Sequence, residues 1–140
     1  MKKVLIYFFI LASAGIFCSE NKNYSEESAL LNTWTASVKN KDYPLYRKVE
    51  AYPKTSDQFL EMYREYYPSR ITVLNVEKLS DEFKDPEGRI FIKKTVSCAG
   101  EIVMRSDSKQ VPFSGTFDLI RFKDSTKNWH IAGRTIIRSE

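Results

Sequence analysis

Lys2 and Lys3 lead into an unbroken apolar run, residues 4–11, and the small residues Ala12, Ser13, Ala14 and Gly15 then carry the chain towards Cys18. A positive start, a short apolar centre and a small-residue end are the anatomy of a secretory signal. This segment constrains the fold most, because it takes the most apolar stretch of the chain out of the folded unit. The run is too short to cross a bilayer as a helix, which takes about 20 apolar residues. What remains of the 140 residues is enough for one domain and not for two. The expected organisation is a signal peptide at 1–17, a flexible polar tether at 18–23 and a single domain at 24–140.

Two processing routes are open. Cys18 followed by the polar residues Ser19, Glu20, Asn21, Lys22 and Asn23 resembles a bacterial lipoprotein signal. In that family the residue after the cut is a lipid-modified cysteine on a flexible tether. Here Gly15-Ile16-Phe17 stands where the family has a leucine and two small residues. The resemblance implies lipid attachment at Cys18, a place in the cell envelope and a membrane as partner. Ala12-Ser13-Ala14 also fits an A-x-A cleavage site, whose use would release a soluble secreted or periplasmic protein beginning at Gly15. With lipid on Cys18, Cys98 is the only thiol left; cleavage after Ala14 instead leaves a Cys18–Cys98 bridge open.

The chain has 22 Lys and Arg against 18 Asp and Glu, and residues 1–17 hold two of the lysines and no acid. The mature excess is therefore small, and the charges of both signs are interspersed. A nucleic-acid binder gathers its basic residues on one face with a clear excess, so nucleic acid is not an expected partner. Two cysteines and one histidine lack the spacing of zinc ligands, and neither a metal nor a cofactor is expected.

The mature chain reads as helices first and strands second. Asn23 with Glu26 suggests a capping box opening a helix whose burying stripe is Ala29, Leu30, Thr33, Trp34, Ser37 and Val38. Asp42 can cap a short second helix with Pro44 in its first turn. Thr55 with Gln58 offers another capping box, for a helix carrying Phe59, Met62, Tyr63 and Tyr66 up to a stop at Pro68. Strands are expected over 70–79, 89–98 with a bend at Ala99-Gly100 and a continuation at 102–105, 116–123 and 129–137. Asp85-Pro86-Glu87-Gly88 reads as a type I turn. The fold class is α+β: N-terminal helices packed on one face of an antiparallel sheet. Trp34 in the first helix and a final hairpin with Gly115-Thr116-Phe117-Asp118-Leu119 and Trp129-His130-Ile131 resemble the nuclear-transport-factor-2-like superfamily. That resemblance implies a curved, cone-like sheet with a pocket under three helices.

In a regular last hairpin, Phe122 pairs with Trp129, Ile120 with Ile131, Asp118 with Gly133 and Thr116 with Thr135. Its bulky turn end assigns this set to the helix-covered face. Asp118 then points inward opposite a glycine, where a desolvated carboxylate could act as a general acid or base. The steroid isomerases of that superfamily use an inward carboxylate in this way; the plainer reading is a solvated Asp118 or one bonded to a tyrosine. Tyr43, Tyr46, Tyr52, Tyr63, Tyr66 and Tyr67 either line a pocket mouth or pack as core. Trp34, Tyr46, Tyr63 and Asp118 are the candidate pocket residues. His130 falls on the other face near Arg121, without companions for a catalytic triad. Cys98 reads as a small buried apolar residue, and Lys93-Lys94 and Glu26-Glu27 as solvated charges.

Two functions follow. The first is a non-catalytic envelope lipoprotein that binds a small apolar ligand, or a homodimer or protein partner through an outer sheet face of Phe117, Leu119, Ala132, Arg121 and Arg134. The second is a small isomerase, dehydratase or hydrolase using Asp118 with a tyrosine, which requires the two to converge in a pocket.

Overall fold

A computed structural model describes residues 23–124 and 127–139. Cys18, the expected signal and all of the tether except Asn23 lie outside the described residues. Three helices, α1 (Ser25–Lys39), α2 (Tyr43–Val49) and α3 (Ser56–Met62), precede four strands, β1 (Tyr66–Lys84), β2 (Ile90–Met104), β3 (Gln110–Phe122) and β4 (His130–Arg138). The strands form one antiparallel meander in the order β1-β2-β3-β4, with the helices packed on one face. Among the described residues no helix is long and apolar enough to cross a membrane.

Local chemistry accounts for most of the helix ends. The Asp42 side chain accepts from the backbone N–H of Leu45, and Pro44 sits in the first turn of α2, where its missing N–H costs nothing. Thr55 and Gln58 form the reciprocal capping box of α3. The start of α1 differs from expectation: Tyr24 is the N-cap residue, and Asn23 accepts from Ser25 N–H at 3.0 Å from outside the helix. The buried side of α1 runs through Glu27, Leu31, Trp34, Thr35, Ser37 and Val38, a rotation away from Ala29 and Leu30. At its far end Arg105 donates to the carbonyls of Val38 at 2.8 Å and Tyr63 at 3.1 Å, satisfying acceptors that a helix end leaves open.

The third helix stops earlier than the spacing predicts. Tyr66, Tyr67 and Pro68 belong to β1, pairing with Met104, Val103 and Ile102. Pro68 is tolerated because β1 is an edge strand, where a missing N–H interrupts no ladder on the open side. Three register shifts bend β1, at Pro68/Arg70, Val73/Asn75 and Lys78/Glu82. β2, expected to bend at Ala99-Gly100 and continue, pairs with β3 without interruption from Phe91 to Val103. Gly100 serves a close approach: a Cβ there would lie 1.9 Å from the Arg70 carbonyl oxygen.

The last hairpin is not regular. Asp118 pairs with Gly133, but Leu119 pairs with Ile131, so β4 carries one extra residue, Ala132. The expected pairs Asp118–Gly133 and Thr116–Thr135 are present; Ile120 meets His130 rather than Ile131. The core lies between the helices and the sheet, around Leu31, Trp34, Val38, Tyr46, Phe59, Phe117, Leu119 and Ile131.

Candidate functional site

β3 alternates its side chains between the faces, and Phe117 and Leu119 are the residues buried against the helices. Phe117 meets Trp34 edge to face, with ring centroids 5.2 Å apart. Asp118 is therefore on the uncovered face. Its side chain is 41% exposed, accepts from Thr95 Oγ1 at 3.2 Å and pairs with Lys93 at 3.6 Å. This corrects the inward placement of Asp118. Of the turn-end residues that suggested it, Trp129 and Ile131 do join the core, whereas Phe122 forms a satellite cluster with Phe91, Tyr52 and Phe83 on the uncovered side.

The same parity corrects the expected partner surface. Phe117 and Leu119 are fully buried, and Arg134 pairs with Phe117 and reaches beneath the helices. The uncovered face carries short polar side chains instead, with Asn75, Ser97, Thr116 and Thr135 in one cross-strand row and Glu77, Thr95, Asp118 and Gly133 in the next.

Trp34, Tyr46 and Tyr63 are brought together. Tyr63 lies edge-on to Trp34 at 5.9 Å and to Phe59 at 5.6 Å, and Phe59 stacks on Tyr46 at 4.3 Å. Into this group reaches Arg134, which donates to the Tyr63 hydroxyl at 3.1 Å and to the Glu50 carboxylate, with its guanidinium 5.4 Å from the Trp34 ring centre. Glu50 is fixed by the chain that follows α2: it forms a bridge with Ile131, and Ala51 N–H donates to the Ile131 carbonyl at 2.8 Å. That strap also covers part of the β4 edge. Burial holds the Glu50 carboxyl above the usual carboxylate range, although Arg134 pulls the other way. Burial likewise pushes the Tyr63 hydroxyl up to about 12. Both polar groups are thus committed to the arginine, and the tyrosine does not ionise at neutral pH. Sequence reasoning paired Arg134 with Phe117 but turned both outward, and nothing in the pattern marked Glu50 as its partner.

Cys98 is buried as expected, with its thiol donating to the Gly115 carbonyl at 3.5 Å and burial pushing it up to about 11. It is no nucleophile at neutral pH.

A cleft of about 290 Å³ opens on the helix side beside the start of α1, lined among others by Glu26, Glu27, Leu30, Lys48, Lys94 and Trp129. Lys94 and Glu27 are buried here, which corrects their reading as solvated charges. The Lys94 ammonium lies 3.4 Å from Glu27, 3.5 Å from Glu26 and 4.0 Å from the centre of the Trp129 ring. Arg121 approaches the same ring at 5.2 Å. Strand alternation was the usable signal, since of two adjacent lysines in a strand one must face the helices. Among the described residues no group of three or more His, Cys, Asp or Glu is placed to hold a metal ion.

No family model matches the chain, and no curated protein does. Among solved structures the chain is similar to the intermembrane space region of the chloroplast protein ARC6, with 12% identity over 84% of this chain and 100% of that one and a TM-score of 0.36. A likeness that shallow carries no functional argument.

Proposed function

We propose that this chain is an exported, lipid-anchored envelope protein whose domain holds a protein partner and catalyses no reaction. The observation that supports this best is the filling of the space between helices and sheet. Trp34, Tyr46, Phe59, Tyr63 and Phe117 interlock there, each at most 3% exposed. A small apolar ligand or a substrate would need that volume. Arg134, Glu50 and Tyr63 are spent on one another. An isomerase-type mechanism needs Asp118 and a tyrosine to converge, and Asp118 lies on the far side of the sheet from Tyr63.

The Trp129 cleft is one of several open clefts, among them one of about 620 Å³ at the β2–β3 turn, and its charged lining suits a partner's side chain. Small-molecule sites run from about 300 to 1,000 Å³ and enclose most of the ligand. At about 290 Å³, with a charged lining, this cleft takes one or two side chains of a protein better than a whole ligand. The order of three helices before a four-stranded meander agrees with a nuclear-transport-factor-2-like domain, and that assignment remains part of the proposal. The lipid anchor rests on Cys18 and the polar residues after it.

The intact mass of the mature protein from its native membrane tests the anchor. Residues 18–140 plus acyl chains are expected; a chain starting at Gly15 without lipid would overturn it in favour of a soluble secreted protein. A photo-crosslinking residue in place of Lys48, at the cleft, tests the partner, with one in place of Thr116 as reference. Crosslinks to one protein from position 48 alone support the reading. Crosslinks from position 116 alone would move the partner to the uncovered sheet face.

A further inference from the structure

The first turn of α1 reaches the sheet at Lys94, through Glu26 and Glu27. The β1–β2 hairpin continues past that point, from Lys94 back to Ile90. At about 3.3 Å per residue this carries its tip some 13 Å beyond the start of the helix. The tip is unusual for a projecting hairpin in being both apolar and rigid. Phe83 is 36% exposed and Ile90 44%, and Tyr52 beside them is 43% exposed. Phe83 stacks on Phe91 with centroids 5.7 Å apart, and Phe91 and Tyr52 both meet Phe122 edge-on.

The turn itself is locked. Asp85 accepts from the N–H groups of Glu87 and Arg89, from Arg89 Nε at 2.9 Å and from the Tyr52 hydroxyl at 3.2 Å. Gly88 supplies the positive φ of 82° that closes it. Lys84, Arg89 and Lys123 stand around the aromatic group, with Arg89 paired to Asp85 and Glu87 and Lys123 to Glu82. Exposed aromatic and aliphatic side chains at a projecting tip are the composition of a membrane-interface anchor, in which rings sit at headgroup level.

The direction of the chain decides what this tip faces. Cys18 and Ser25 are seven residues apart. A fully extended chain of that length spans at most about 25 Å. A lipid on Cys18 therefore keeps the α1 start, and the hairpin beyond it, close to the bilayer. The Arg105 clamp on the last turn of α1 lies at the opposite end of the helix.

We propose that the β1–β2 hairpin tip is a membrane-contact surface: Phe83, Ile90 and Tyr52 seat in the interfacial layer of the bilayer, with Lys84 at the lipid phosphates. This rests on the lipid-anchored reading. A covalent lipid and an apolar patch together hold a domain in a fixed orientation that a lipid alone does not.

The test uses the full mature chain in vesicles of phosphatidylethanolamine and phosphatidylglycerol containing brominated lipid. Ile90→Trp places a fluorophore at the tip and Ser106→Trp one at the β2–β3 turn; both positions are exposed, and Trp34 and Trp129 give a common background. Quenching of Ile90→Trp several times that of Ser106→Trp is expected, with a blue shift of its emission. Equal quenching in a chain whose mass shows the lipid would overturn the contact and leave the anchor standing. Preferential quenching of Ile90→Trp in a chain without lipid would keep the contact and overturn the anchor. Loss of that quenching on the further change Phe83→Ser, with the circular dichroism unchanged, would tie it to the aromatic tip.

Discussion

Two arginine–carboxylate pairs in this domain stand beside aromatic rings, in opposite surroundings. Arg134 and Glu50 lie beneath the helices against Trp34 and Tyr63, with side chains 16% and 4% exposed. Arg89 and Asp85 lie at the hairpin tip against Phe122 and Tyr52, with side chains 38% and 1% exposed. Both carboxylates are screened from water, yet they shift in opposite directions. Burial dominates at Glu50 and holds its carboxyl up. At Asp85 burial pushes the same way, but hydrogen bonds from the Arg89 backbone and guanidinium, with that cation's charge, outweigh it and hold the carboxyl below the usual range. The difference lies in the donors. Asp85 accepts from two backbone N–H groups in its own turn, whereas Glu50 leans on one side chain arriving from a distant strand.

The largest break in this comparison comes from removing one partner in the core. Arg134→Met should cost about 3–5 kcal/mol, because Glu50 is then left buried without a countercharge. The double change Glu50→Leu with Arg134→Met should recover most of that loss, since no charge remains to be desolvated. Urea unfolding of the three variants checks it, and a double variant less stable than Arg134→Met would show that the pair itself holds the core.

Cys98 sharpens the comparison, because there burial acts alone. Its thiol is raised from an ordinary 9.0 to about 11, so the protonated form is the one folding favours. That contribution is fully present below pH 9 and fades as pH rises towards 11. The loss should approach roughly 2–3 kcal/mol, at about 1.4 kcal/mol per unit. Cys98→Ala should flatten this part of the alkaline stability curve, and wild-type thiol should resist alkylation at pH 8.

Asp85→Asn should have a smaller, local effect, loosening the hairpin and leaving the core intact. Faster amide exchange at Glu87 and Arg89 with unchanged exchange in α1 is the expected pattern. The smallest effect is also the most discriminating. Asp85, held low, contributes stability above the ordinary carboxylate range that is lost as pH falls through its folded value. Glu50, held high, contributes stability at acid pH that is lost as pH rises through its folded value. The pH dependence of stability should therefore change slope in opposite senses in Asp85→Asn, below the ordinary carboxylate range, and in Glu50→Gln, above it. Slopes of the same sign would mean that one of the two environments is misassigned.

Features that depend on neighbours in the chain were legible from the sequence. Asp42 before Pro44, the Thr55–Gln58 pair and the Asp85–Gly88 turn act over four residues or fewer, and each stands where the pattern places it. The α+β order was legible for the same reason, as the change from helical to strand spacing is a local signal. Features that depend on which face wins were not. Phe122 and Ile120 are bulky enough to suggest a core face, and only the partners Phe83, Phe91 and Tyr52, brought from elsewhere, show that they form a second cluster. Tyr66 continues the helical spacing of Phe59 and Tyr63, but pairing with Met104 draws it into β1. The candidate pocket divided along this line: Trp34, Tyr46 and Tyr63 converge, while Asp118 was placed by a parity argument that one extra residue cannot disturb on its own strand but that the wrong core face inverts.

That extra residue, Ala132, works like a change of reading frame in β4. Ile131 and Arg134 both face the helices although three positions separate them, which a regular strand forbids. Deleting Ala132 would leave Ile131 and Arg134 two positions apart, as a regular strand allows, so both would keep facing the helices and β4 would lose only the bend of its bulge. Chains descended from a common ancestor with this one should therefore tolerate the loss of this residue, as they tolerate a change of length at the turn after β3. One residue lost between Arg134 and Ile136 would instead turn Ile136, which packs against the core, to the uncovered face.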